Sequence, residues 1–91
     1  MQALVVSTEH RGVFFGYGEP TDSDTIRLEK ARMCVYWAPE VRGFTGLASV
    51  GPIGGSKVGP AAPSMTLRGV TAVMECSREA IQRWEVEPWT K

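Results

Sequence analysis

Apolar residues recur at every second position along much of this chain, and that spacing is the strongest constraint on its fold, because it matches the pleat of a strand and not the turn of a helix. Leu4 and Val6 share one face of a first strand. In Gly12-Val13-Phe14-Phe15-Gly16-Tyr17-Gly18, Val13, Phe15 and Tyr17 share a face, with Phe14 opposite. The polar run Glu19-Pro20-Thr21-Asp22-Ser23-Asp24 carries turn chemistry, Pro fixing φ and Asp or Ser accepting local backbone hydrogen bonds, so a hairpin is expected there. Ile26 and Leu28 then alternate with Thr25, Arg27 and Glu29. After Glu29-Lys30 the pattern resumes through Ala31-Arg32-Met33-Cys34-Val35-Tyr36-Trp37, which predicts one long strand, or two strands with a bulge.

A later stretch repeats the pattern. Ser64-Met65-Thr66-Leu67-Arg68-Gly69-Val70-Thr71-Ala72-Val73-Met74-Glu75-Cys76 lies over residues 25–37 with Gly69 at the bulge step, a likeness of pattern that two amphipathic strands can also reach by chance. Between the two, Ala38-Pro39-Glu40-Val41-Arg42 reads as a loop. Phe44, Leu47, Ala48 and Val50 predict a short helix that stops at Gly51-Pro52. The Gly- and Pro-rich run 53–63 is expected to be a surface loop or arm. Ser77 as N-cap, Glu79 in the first turn, and Ile81 with Trp84 define a C-terminal helix over 77–85, and Trp84 with Trp89 is expected to dock an ordered tail on the sheet.

With 91 residues there is room for one domain, residues 1–91, and a single core must support it. Ten Lys and Arg balance ten Asp and Glu, so bulk charge draws the chain neither to nucleic acid non-specifically nor to an anionic membrane. The N-terminal apolar run breaks at Ser7-Thr8-Glu9-His10-Arg11, short of a signal-peptide core, and no run of about 18 apolar residues exists, so a cytoplasmic protein is expected. Cys34 and Cys76 fall in alternating apolar stretches and read as buried thiols. A bridge between them requires the two strands to be neighbours.

Chemistry-bearing residues are few. His10, the one histidine, stands between Glu9 and Arg11, a grouping compatible with a general base, an anion contact or a solvated turn. In an extended strand Glu9 and His10 point to opposite faces, which argues against a catalytic pair. No catalytic set, metal-ligand spacing or cofactor motif is present. Gly51-Pro52-Ile53-Gly54-Gly55-Ser56-Lys57 lacks the order of a phosphate-binding P-loop, yet Ser56 and Lys57 on a Gly-rich loop suit an anion. Arg32, Tyr36 and Trp37, with Arg27 upstream, interleave cations and aromatics as nucleotide-stacking surfaces do, although Trp37 could equally lid a core and Arg32 be solvated. Arg32, Cys34 and Tyr36 share one face and Met33, Val35 and Trp37 the other. A strand with large groups on both faces needs a second covering layer, which an identical subunit could supply.

The stretches Gly12-Val13-Phe14-Phe15-Gly16-Tyr17, Leu28-Glu29-Lys30-Ala31-Arg32-Met33 with Tyr36-Trp37, Gly46-Leu47-Ala48 with Gly51, Leu67-Arg68-Gly69-Val70, and Cys76-Ser77-Arg78-Glu79-Ala80 with Pro88-Trp89 together resemble a family of small proteins of unknown function common in bacteriophages and prophages. The resemblance covers nearly the whole chain. In those relatives a second Arg follows the Ala-Arg pair where this chain has Met33, which weakens a basic pocket at that strand. A phage protein of this size without a catalytic set would be expected to occupy something of the host, for example as an oligomeric sponge for a nucleotide immune signal.

The expectation is therefore a mainly β, α+β domain: five or six strands in a small bent antiparallel sheet or partial barrel, with a short central helix and a C-terminal helix. Its expected role is non-enzymatic, binding a small anionic molecule, cyclic or linear nucleotide included, through His10, Arg11, Arg32, Tyr36, Trp37, Arg42, Ser56 and Lys57, as a homo-oligomer without cofactor or metal. The alternative is a protein–protein module that inhibits a host protein or serves in phage assembly.

Overall fold

The computed structural model describes residues 1–9, 12–36, 44–52 and 56–86, with Tyr36 and Phe44 described by backbone alone. It is mainly β, with six strands in one antiparallel sheet and two short helices: β1 (Gln2–Thr8), β2 (Val13–Gly18), β3 (Thr25–Tyr36), α1 (Phe44–Ser49), β4 (Lys57–Val58), β5 (Ala62–Arg68), β6 (Val70–Glu75) and α2 (Arg78–Val86). The strands run in the order β4-β3-β2-β1-β6, and β5 pairs with β3. Only Gly69 separates β5 from β6, so one chain segment pairs with β3 by its first half and with β1 by its second. The sheet is thereby bent back towards itself.

The two stretches that overlay in sequence meet in space. Thr25 pairs with Arg68, Arg27 with Thr66 and Glu29 with Ser64, antiparallel, so exchanging the two segments reproduces the same ladder. Each then kinks at the equivalent position, Lys30 with φ 52° and Gly69 with φ 71°. At Lys30 the strand carries one residue more than β2, since Phe15 faces Arg32 while Tyr17 faces Glu29. β3 therefore runs on as one long strand through a bulge at this step, with a lysine in the left-handed region that glycine occupies at lower cost.

Alternation along β1 feeds two cores. Leu4 and Val6 pack with Ile26, Leu28, Ala31 and Leu67 inside the bend. Ala3 and Val5 pack on the other face with Val13, Phe15, Cys34 and Val58, under Leu47 and Ala48 of α1 and Ala80 and Trp84 of α2. Trp84 is fully buried and stacks on Phe15, with ring centroids 5.0 Å apart and 8° between the planes. β1 is thus buried on both faces by its own chain.

One expectation changes, and one condition left open by the sequence is decided. The run 53–63 is not all loop, because Lys57-Val58 forms β4 and β5 already begins at Ala62. Pro63 is tolerated there since β5 pairs on one side only, where a missing N–H costs no ladder bond. The two cysteines are not on neighbouring strands: Cys34 is on β3, and Cys76 follows β6, with β2 and β1 between. Three strand spacings of about 4.8 Å exceed the reach of a disulfide. The tail beyond Val86, including Trp89, lies outside the described residues.

Candidate functional site

Register decides which residues share an end of the sheet. Ser7 pairs with Val13, Phe14 with Met33, Cys34 with Val58 and Tyr36 with Lys57. The end of β1, the start of β2, the end of β3 and the start of β4 therefore lie together, and Thr8 N–H donates to Gly12 O at 2.9 Å to close the first hairpin. Of the eight expected site residues, Lys57 is exposed here, Ser56 beside it is buried, and Tyr36 ends β3. His10, Arg11, Trp37 and Arg42 lie outside the described residues.

Arg32 behaves differently from either expectation for it. Its residue is 7% exposed, on the face that the helices cover. Nε donates to Gly59 O at 2.8 Å, and a terminal nitrogen donates to Trp84 O at 2.5 Å. Trp84 lies in the last turn of α2, where carbonyls have no intrahelical partner and a cation meets the negative end of the helix dipole. The guanidinium thus ties β3, the chain after β4 and α2 together. An arginine alternating with apolar neighbours gives no sequence signal of this, because the partners are backbone carbonyls.

On the opposite face of β3, Met33 and Val35 stand 43% and 64% exposed, beside half-buried Phe14 across from Met33. No layer of the described residues covers them.

A polar seam beneath α1 was also invisible in the sequence. The carbonyls at the end of α1 are each met by a donor from residues 77–84: Trp84 Nε1 to Leu47 O at 2.9 Å, Ser77 N–H to Ala48 O at 2.8 Å, Ser77 Oγ to Ser49 O at 2.6 Å and Arg83 to Val50 O at 2.8 Å. Ser77 Oγ also accepts from Ala80 N–H, the N-cap bond read from the sequence. Gly51, at φ 84°, turns the chain out of α1, and a Cβ there would stand 2.9 Å from Arg83 Cβ.

Nearby, burial and a hydrogen bond donated to the Glu85 carboxylate hold the Tyr17 phenol well above its ordinary pKa. Burial pushes the half-buried Cys76 thiol up to about 12, so it carries no thiolate near neutrality. Among the described residues no three His, Cys, Asp or Glu side chains cluster as a metal site would require. No described helix is long and apolar enough to cross a membrane.

This architecture, a bent antiparallel sheet with two helices on one face, is that of a small α+β domain. The chain belongs to the family described as Domain of unknown function (DUF6948), whose model matches residues 1–84 and so takes in every strand and most of α2. No curated protein and no solved structure matches it.

Proposed function

We propose that this protein is a non-enzymatic binder of a small anionic molecule, of the nucleotide class, at the end of the sheet where β1, β2, β3 and β4 meet. The observation that supports this reading is the register, which sets exposed Lys57 opposite Tyr36 at the end of β3, the same end of the sheet from which β1 and β3 lead on in sequence to His10, Arg11, Trp37 and Arg42. Arg32 is not one of the ligand groups in this reading, since its donors already meet two backbone carbonyls. The resemblance to phage proteins makes sequestration of a host nucleotide signal, in the cytoplasm and by a homo-oligomer, the biological form of the proposal.

Calorimetric titration with a panel of cyclic and linear nucleotides tests it. The expected result is a dissociation constant below ~100 μM for at least one, weakened by Lys57→Ala. Absence of heat for all of them at that concentration overturns the reading. Ligand recovered unchanged from the denatured complex supports binding without turnover, whereas recovery of a converted product replaces binder with enzyme.

Exposed Met33 and Val35 favour a second reading, a protein–protein module that uses this apolar face of β3, which no described residue covers. Loss of a stoichiometric host partner on Val35→Asp, with nucleotide binding absent, would select it.

A further inference from the structure

The outward face of the β3–β5 ladder is polar throughout. Thr25 faces Arg68, Arg27 faces Thr66, and Glu29 faces Ser64, while the residues between them, Ile26 and Leu28, turn into the core. Arg27 and Arg68 are diagonal neighbours on adjacent strands, about 7–8 Å apart at the backbone, within reach of each other's guanidinium. Both are exposed. Neither pairs with a carboxylate among the described residues, where the ion pairs are Met1 with Glu19 and Arg83 with Glu79. Thr66 stands across from Arg27 and Thr25 across from Arg68, where the Thr25 hydroxyl donates to the Asp24 carboxylate at 3.3 Å. On the β2 side, Arg27 borders a cleft of about 410 Å³ lined by Gly18, Thr21 and Thr25 together with two acidic residues, Glu19 and Glu29.

We propose that this face is a binding site for the phosphate of a small phosphomonoester, with Arg27 and Arg68 gripping the dianion, Thr66 donating to it, and the organic part lying in the cleft beside Arg27. Guanidinium groups present paired donors that match the oxygens of a phosphate, and two of them neutralise its two charges. The cleft is of the size that small ligands fill. Acidic neighbours set the selectivity. Glu29 is the next outward residue of β3, Glu19 lines the cleft, Asp24 accepts from the Thr25 hydroxyl and the Glu9 carboxylate stands beside Gly69, so carboxylates flank the two arginines and a long polyanion meets more of them than one compact dianion does.

This site is at the β3 start, the opposite end of the sheet from Lys57, so it stands or falls separately from the function proposed above. The test is a backbone amide NMR titration at fixed ionic strength with inorganic phosphate, glycerol phosphate and adenosine monophosphate, using sodium chloride as the control. Saturable shifts at Thr25, Arg27 and Thr66 are expected at low millimolar phosphate, with tighter binding for the organic phosphates. Arg27→Gln and Arg68→Gln should each weaken binding about tenfold and together abolish it, with Lys57→Ala leaving it unchanged. The exposed positions make loss of fold by either variant an unnecessary explanation, which the unaltered remainder of the spectrum verifies. No saturable shift up to about 20 mM, equal shifts with chloride, or shifts that survive the double variant overturn the proposal.

Discussion

The two faces of the sheet are held by different means. Inside the bend, Leu4, Val6, Ile26, Leu28, Ala31 and Leu67 meet through apolar contact alone, and strand pairing encloses them. Under the helices, the apolar layer of Val5, Phe15, Leu47 and Trp84 is laced with side chains that donate to backbone carbonyls: Arg32, Ser77, Arg83 and the Trp84 indole. Length accounts for the contrast. α1 has six residues and α2 nine, too few to persist by intrinsic propensity, and most backbone groups of α1 and nearly half of those of α2 are terminal ones. Short helices must be fastened by their ends, whereas strands fasten one another along their length.

Equilibrium urea denaturation of single variants can break that contrast. Trp84→Ala should have the largest effect, about 3–5 kcal/mol, since it removes a fully buried ring, its stack on Phe15 and the bond to Leu47 O. Trp84→Phe should recover much of the packing but leave Leu47 O unpaired. Leu28→Ala, inside the bend, should cost about 2–4 kcal/mol by cavity formation alone. Next comes Arg32→Met, expected to cost about 2–3 kcal/mol although it retains apolar bulk, because the carbonyls of Gly59 and Trp84 lose their donor. A neutral Arg32→Met would mean that packing, not end-fastening, holds α2. Ser77→Ala should cost about 1 kcal/mol and expose the amides of both α1 and α2 to hydrogen exchange together, since one hydroxyl serves both helices.

The smallest effect is confined to alkaline solution. Cys76 has a folded pKa raised to about 12, so its contribution to stability is whole below the unfolded thiol's pKa and declines as pH rises from about 9 towards 12. Thiol labelling at pH 8 should therefore modify Cys76 slowly in the folded protein and rapidly in urea. Rapid labelling of the folded protein would show the half-buried thiol to be more open than its surroundings indicate.

Much of the fold was legible because strand alternation is a local property. Val13 and Phe15 against Phe14, the bulge at Lys30 and its counterpart at Gly69, the stop at Gly51 and the cap at Ser77 are written in neighbouring residues. β4 was missed because two residues of strand carry no period, and the start of β5 because Pro63 reads as a breaker until its position on a one-sided strand is known. Arg32 was misjudged for a different reason. Spacing shows which face a side chain takes, but whether that face meets water or a helix end depends on residues some fifty positions away. The same holds for the Arg27 and Arg68 pair, which the register alone brings together.

The segment 62–75 serves both rims of the sheet, pairing with β3 before Gly69 and with β1 after it. As the chain leaves the ribosome, β1, β2 and β3 emerge first, with the apolar faces of Leu4, Val6, Ile26 and Leu28 still open. Those faces must wait for more than half as many residues again before their last partner arrives. Folding is then governed by one late, long-range closure, and a nascent or truncated chain ending before Glu75 is the form most exposed to aggregation.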